Sequence, residues 1–387
     1  MKAIVNTKLI LEEGIIFDGA ITFDQGRILA VGERKDVEIP AGTEIIDAGG
    51  KYTAPGLIDI HNHGCGKKNF NLEPQRCAAH FLKHGETTVL PTFYMNLTAE
   101  QMIEGAERVR EASKTGAGRI IGGLYMEGPY MGAFGSFQSG IKWNGPIDPR
   151  DYEPLVDKIH DMVRVWAIDP SREHIEDFMQ YARSVNPRVR FALGHSKATA
   201  AQCRRVKKYG VVDQTHHGDS GKAPGLAQSL VGAGCDEFTL GDPDLYAELI
   251  CDQTGIHLMP EMIRMVVRTK GVERIILISD SMACEKDYKN NEAEGIAYGP
   301  DLNYDEDGHL AGSRLTLENA SRNMMRHTGY GLCHAIRFAT INPARMLGID
   351  DEVGSLEPGK RANLILIDDA VNIEKVFLRG ELVIDNK

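Results

Sequence analysis

Five short apolar runs of this 387-residue chain end in a side chain able to hold a metal ion or move a proton. They are GLIDIHNHG with His61 and His63, GGLYMEGP with Glu127, FALGHS with His195, DQTHHG with His216, and ILISDS with Asp280. In His61-Asn62-His63 the two imidazoles are two positions apart, so an extended strand turns both to one face. There they could clasp one cation at Zn–N distances of about 2.0–2.1 Å. The pattern alone is weak, because two histidines beside a glycine turn can also be satisfied by backbone. Glu127 precedes Gly128-Pro129, a turn that leaves its carboxylate at a strand end. Alone it reads as an ion-pairing or capping residue. Beside His195 and His216 it makes a Glu-His-His set of the kind catalytic metal sites use, with one position left for water. His217 competes with His216, since successive residues of a strand point to opposite faces. Asp280 closes the most apolar run, and a lone buried carboxylate there requires a metal, a water or a cation nearby. It reads either as a general base for hydrolysis or as a helix cap. His257 in TGIHLMP fits substrate contact and helix capping equally.

Residues so far apart can share one site if parallel strands gather their ends around a single mouth. Eight candidate strands fit: 56–63, 87–93, 120–127, 163–169, 188–195, 211–217, 245–252 and 274–280. Helix-compatible stretches at 98–114, 172–185, 198–208 and 260–270 separate most of them, with Thr98 as an N-cap. This alternation predicts an α/β fold, a (β/α)8 TIM-like barrel, over an open sheet. A helical pair at 316–327 and 333–346 follows, after a polar excursion at 282–312 whose Asp307-Gly308 marks a hairpin turn. Residues 1–54 read as a small antiparallel β element with a Gln25-Gly26 turn, echoed by GSLEPGKRANLILIDD and NIEKVFLRGELVIDN. The expected organisation is a small β-sandwich domain from both termini (1–54 and 348–387) around a hydrolase barrel (55–347).

A formal charge of −11 and a pI near 5.7 argue against nucleic acid or an anionic membrane as partner. A basic pocket for a small anionic substrate remains compatible. No apolar run is long enough to span a bilayer, and Glu12 and Glu13 interrupt any leader-like core. Seven scattered cysteines without a CxxC pair predict free thiols in a reducing, cytoplasmic compartment.

PGLIDIHNHG, MEGPY, GHSKAT, THHG, GIH, SDS, LAGSRLTL and GSLEPGKRANLILID occur in the order that resembles the N-acetylglucosamine-6-phosphate deacetylases of the amidohydrolase superfamily. The resemblance spans nearly the whole chain. It implies a distorted barrel with a small β domain from both termini. It also implies Glu127, His195 and His216 as principal metal ligands, and it favours His216 over His217. By the same resemblance His61 and His63 can hold a second ion, Asp280 is the catalytic acid–base, and His257 helps bind the sugar phosphate. Three positions depart from the family pattern. Asp219-Ser220 stand where an Asn-Ala pair contacts the sugar, and Lys142 aligns where a His or Gln approaches the amide carbonyl. Lys222 replaces a phosphate-binding arginine reaching across a dimer interface, keeping charge but losing the bidentate fork.

The reaction expected is hydrolytic removal of an acetyl group from an anionic amino sugar, with one or two divalent ions, zinc above all. Lys142 would steady the oxyanion, and Lys222, His257 and Arg314 are candidates for the anionic end. A homodimer follows from the resemblance. Lys142 and Asp219 keep open a different N-acetyl hexosamine, an N-acyl amino acid or a cyclic amide as substrate. A non-catalytic barrel is the remaining reading, disfavoured because no ligand is missing.

Overall fold

The computed structural model describes residues 1–132, 140–219, 221, 232–283, 299–305 and 309–386. The terminal strands are β1 (Lys2–Ile10), β2 (Ile15–Asp24), β3 (Arg27–Glu33), β4 (Glu44–Asp47) and β5 (Tyr52–Pro55). They join β18 (Leu364–Ile367), β19 (Ile373–Leu378) and β20 (Glu381–Asp385) in one sheet, ordered β20-β19-β18-β5-β1-β2-β3 with β4 also on β1. Phe23 of β2 and Phe377 of β19 are not sheet neighbours, yet their rings meet edge-on at 5.9 Å. The sheet therefore curls until its two wings share a core of Ile4, Ile21, Leu364 and Leu366. The expected Gln25-Gly26 turn has φ of 47° and 78°, the double positive φ of a two-residue hairpin whose twist suits its strands.

The purely antiparallel expectation for residues 1–54 is corrected, because β4 and β5 both run parallel to β1. The chain leaves β3 at one edge and must cross β2 and β1 before it can pair again. Such a crossover returns it in the original direction.

The central sheet holds β6 (Leu57–Asn62), β9 (Glu86–Tyr94), β10 (Leu124–Glu127), β11 (Val163–Ile168), β12 (Arg190–Leu193), β13 (Val211–Gln214), β14 (Tyr246–Ile250) and β15 (Ile275–Ile278). They are adjacent in chain order and every pair is parallel. A two-residue hairpin, β7 (Gly64–Cys65) with β8 (Lys68–Asn69), follows β6. The last seam, β15 against β6, is closed at its upper end: the Asp280 N–H donates to the His61 carbonyl at 2.9 Å, and the His63 N–H to the Ser281 carbonyl at 2.8 Å. Below it the Ser279 hydroxyl donates to buried Asp59 at 2.6 Å. The eight strands and their order match the barrel expectation.

Strand alternation sorts the walls. Tyr125, Val165, Ala167, Ala192, Ile276 and Ile278 fill the interior. Leu124, Met126, Trp166, Phe191 and Leu193 face the outer helices, α2 (Ala99–Ala112) to α5 (Ala200–Lys207). Thr98 caps α2 through a reciprocal capping box with Gln101. Three helices were not foreseen: α1 (Pro74–Lys83), α3 (Pro149–Ile159) and α6 (Cys235–Gly241). The predicted helix over 333–346 is two helices, α9 (Leu332–Phe338) and α10 (Ile341–Leu347). The reason is Pro343, whose ring would strike the Ala339 carbonyl in a continuous helix. After β15, a hairpin of β16 (Leu302–Tyr304) and β17 (Leu310–Ser313) precedes α8 (Leu317–Thr328). Asp307-Gly308 itself lies outside the described residues. All six described cysteines that the structure resolves as thiols are free; Cys284 lies outside the described residues.

Candidate metal centre

At the upper end of the barrel, four imidazoles converge on one carboxylate. Inward alternation on β10 aims Glu127 into the mouth. Its Oε1 lies 2.9 Å from His195 Nε2 and 2.9 Å from His216 Nε2. Its Oε2 lies 3.2 Å from His63 Nε2 and 3.7 Å from His61 Nε2. One oxygen thus serves each pair, giving two overlapping groups competent for a metal ion: His61-His63-Glu127 and Glu127-His195-His216. A register irregularity in β6 between Asp59 and Asn62 precedes the point where both histidines of the HxH pair reach inward. Asp280 Oδ1 sits 3.2 Å from His63 Nε2 and 3.6 Å from His61 Nε2.

The backbone at these positions is strained. His195, His216 and Asp280 have φ of 42°, 26° and 46°, left-handed values costly for residues with a Cβ. Each lies just past its strand, where the left-handed turn replaces the strand's alternation. His217 points elsewhere, its Nδ1 2.6 Å from Gln214 Oε1, and burial lowers its pKa to about 4.

The electrostatics suit a cation. Burial tends to neutralise Glu127, yet His195, His216 and His61 together hold its carboxyl well below the usual range. Burial likewise opposes ionisation of Asp280, but His63 and His61 outweigh it and lower its pKa. His216 shows the reverse balance: burial disfavours charge, Glu127 and Asp280 favour it, and its pKa rises to about 9. Among the described residues, His61 Nε2 and Asp280 Oδ1 are buried without a hydrogen-bond partner. Two orphaned ligand atoms facing a shared carboxylate are what a divalent ion would satisfy, and the nitrogen-rich donor set fits one.

The wall behind the ligands contains acids that the sequence reading missed. Glu248 of β14 is fully buried and its Oε2 accepts from His61 Nδ1 at 3.1 Å and from the His216 N–H at 3.2 Å. That bond leaves Nε2 of His61 as the nitrogen able to meet an ion. Burial first, then the facing Glu248, push the buried Asp213 carboxyl well above the usual range. Glu248 Oε1 and Asp213 Oδ2 otherwise lack a donor, so one proton between them satisfies both. The available signal was a single acid inside each of two apolar strands, LYAELI and VVDQ.

The expected substrate-side residues are arranged less tightly. His257 is buried, with Nδ1 3.2 Å from Asp252 and Nε2 3.1 Å from the Gly312 carbonyl. Asp252 in turn accepts the N–H groups of Thr254, Gly255 and Ile256, which fixes the loop after β14. Asp219 is exposed and its field reaches both His216 and His257. Lys142 is exposed at the rim, its N–H bonded to the Met95 carbonyl just beyond β9 at 3.0 Å. Half-buried Arg314 follows β17, whose Ser313 N–H donates to the Asp280 carbonyl at 2.7 Å. Ser220 and Lys222 lie outside the described residues.

A family model described as the amidohydrolase family matches residues 52–383. The chain belongs to that family. Amidohydrolases are metal-dependent hydrolases, and the paired Glu-His groups of this amidohydrolase are where an ion could sit. It is similar to the N-acetylgalactosamine-6-phosphate deacetylase of Escherichia coli O157:H7, 29% identical over 399 residues covering 97% of each chain. It is 27% identical to the N-acetylglucosamine-6-phosphate deacetylase of Haemophilus influenzae over 403 residues, 98% of each. The crystal structure of N-acetylglucosamine-6-phosphate deacetylase from Pasteurella multocida shares the fold at a TM-score of 0.84, with 24% identity and both chains covered in full.

Proposed function

We propose that this amidohydrolase is a metal-dependent deacetylase that removes the acetyl group from an N-acetylated amino-sugar phosphate. The observation that carries the reading is the shared Glu127 carboxylate, one oxygen facing His195 and His216 and the other His61 and His63. The full-length likeness to deacetylases of two hexosamine phosphates supports the substrate class. Glu127, His195 and His216 would hold the principal ion, and His61 with His63 a second. Zinc suits this donor set best.

A bound ion would supply Lewis-acid activation of water and of the amide carbonyl. The chain's own residues do the rest. Asp280, held ionised by the neighbouring imidazoles, takes the proton of the attacking water and returns it to the departing amine nitrogen. Glu248 fixes the tautomer of His61, with buried Asp213 beneath it. His257, with Arg314 and Lys222, would meet the phosphate; His257 must exchange the Gly312 carbonyl for it. Lys142 at the rim would reach the amide carbonyl, and Asp219 with Ser220 the sugar hydroxyls. Exposed Ile256, Met259, Met262 and Met265 beside this mouth favour a homodimer contact there. Among the described residues no helix is long and apolar enough to cross a membrane. The scattered cysteines support a reducing, cytoplasmic compartment.

Acetate release tests the reading. N-acetylglucosamine 6-phosphate and N-acetylgalactosamine 6-phosphate should be hydrolysed, and their unphosphorylated forms far more slowly. Hydrolysis of N-acyl amino acids or cyclic ureides in preference to both phosphates would overturn it.

A further inference from the structure

A second charged cavity lies at the other end of the molecule. Three backbone segments meet there: the Gln25-Gly26 turn, residues 361–363, and the Arg379-Gly380 turn between β19 and β20. The Ala362 N–H donates to the Gly26 carbonyl at 2.8 Å, and the Gly380 N–H to the Ala362 carbonyl at 2.9 Å. A Cβ on Gly26 would stand 3.3 Å from the Arg379 carbonyl, so the two turns pack tip against tip. This backbone forces arginines together. Arg27 and Arg361 face each other as an antiparallel bridge pair, an arrangement that is unfavourable for like charges. Arg379, at a left-handed φ of 50°, projects from the third segment.

Counter-charges are too few. The single carboxylate of Glu352 serves both Arg27, at 3.0 Å, and Arg361, at 2.8 Å. The carboxylate of Glu381 is taken by Arg119 at 2.9 Å. Arg379 makes no side-chain hydrogen bond or ion pair among the described residues. Burial, then the fields of Arg361 and Arg119, hold its pKa below the ordinary arginine value. Four guanidiniums against two carboxylates leave an excess of two positive charges, on a chain whose net charge is −11. The cluster borders a cavity of about 670 Å³ lined by Lys2, Arg27, Arg361 and Arg379 and also by Asp24, Glu44 and Glu381. Asp24 pairs with the Met1 ammonium at 3.2 Å and Glu44 with Lys2 at 3.6 Å, so these two pairs leave the excess of the arginines unchanged. That volume is in the range of small-molecule sites. Arg361 and Arg379 also line a cleft of about 140 Å³ that reaches Thr87 and Thr88 at the start of β9 and Arg164 at the start of β11. This is the barrel floor, about 20 Å from the metal centre by strand rise over Thr88 to Tyr94.

We infer that this junction is a second, non-catalytic binding site for a small phosphoryl-bearing anion, held by the forks of Arg379 and Arg361 with Arg27 and Arg119 around it. Guanidinium forks match phosphate geometry, and the missing counter-charge is what such a ligand brings. The site is independent of the deacetylase reading, since none of its residues touches the metal centre.

Calorimetric titration of the metal-loaded full chain with inorganic pyrophosphate tests it. The Arg379→Gln variant should bind at this site about tenfold more weakly, as loss of one charge-assisted contact implies. Arg361→Gln/Arg379→Gln should lose the component altogether, with basal hydrolysis unchanged. Melting gives a second readout. Pyrophosphate should raise the wild-type midpoint more than the variants', while without ligand Arg379→Gln should melt no lower, because an unpaired cation is gone. Identical isotherms and melting shifts for wild type and double variant, or no pyrophosphate effect on wild type, would overturn the inference.

Discussion

Replacing Glu248 tests how far the buried wall governs the metal centre. Its carboxylate accepts from His61 Nδ1 at 3.1 Å and from the His216 N–H at 3.2 Å, so it touches one histidine of each ligand pair. Glu248→Gln keeps an acceptor of the same shape but removes the charge. A charge-assisted hydrogen bond is roughly twice as strong as a neutral one, so the loss is about 1–1.5 kcal/mol, or about tenfold in metal affinity. Glu248→Ala leaves both N–H groups without the acceptor at a cost of about 1–3 kcal/mol each, and about a hundredfold loss is expected once a water relieves part of it. The assay is competition against a chelating fluorophore, with near-UV circular dichroism as the control for folding. If two ions bind, the weakened one should be that of His61 and His63, whose ring orientation depends on this bond. Wild-type affinity in folded Glu248→Ala would refute the reasoning. So would equal weakening of both ions in Glu248→Gln, because the backbone N–H of His216 cannot change its tautomer.

Asp280→Asn should keep its metal and lose about 10²–10⁴-fold in turnover, measured as acetate release at saturating metal; near-normal turnover would remove Asp280 from the proton-transfer role. Burial lowers the pKa of His61, His63 and His216, but Glu127, Glu248 and Asp280 outweigh it, so all three are raised without metal. Stability from these charged pairs is therefore present below the unfolded value of about 6.5 and lost as pH rises through the folded values, about 9 for His216. Metal must displace those protons, so titration at pH 7 in buffers of different ionisation enthalpy should show proton release; identical heats in all buffers would contradict this. At Gly312, φ is +54° and an added Cβ would lie 2.6 Å from the Asp280 carbonyl, so Gly312→Ala should cost about 1–3 kcal/mol in chemical denaturation and reduce turnover. Wild-type values for both would show that β17 yields without moving Asp280.

The barrel was legible because each of its strands is an apolar run ended by a turn, and the candidate ligands stand at those ends. The HxH spacing carried its own geometry. Helices α3 and α6 were not legible: α3 holds Pro154 inside it, and α6 has 7 residues, too few for a helical period to register. The break between α9 and α10 was written in Pro343 and passed over. Glu248 and Asp213 escaped for another reason. An isolated acid in an apolar strand looks like an outward-facing residue until the closed sheet turns it inward. Strand alternation could not choose between His216 and His217, since it ends where the left-handed turn begins; the family resemblance alone favoured His216.

The seam between β15 and β6 ties the reaction centre to the order in which the chain assembles. Asp59 and Ser279 lie 220 residues apart, and the bonds from Asp280 to His61 join segments just as distant. Contacts of such long range close late, after the neighbouring strands have paired and shortened the effective loop. His61 and His63 on the first strand and Asp280 beyond the last therefore come together only when the cylinder shuts. A nascent chain lacking its final barrel strand would carry His195, His216 and Glu127 but neither Asp280 nor the seam, so on the proposed roles the metal groups would precede the proton carrier. Amide exchange at His63, Gly64 and Asp280 would report that closure directly.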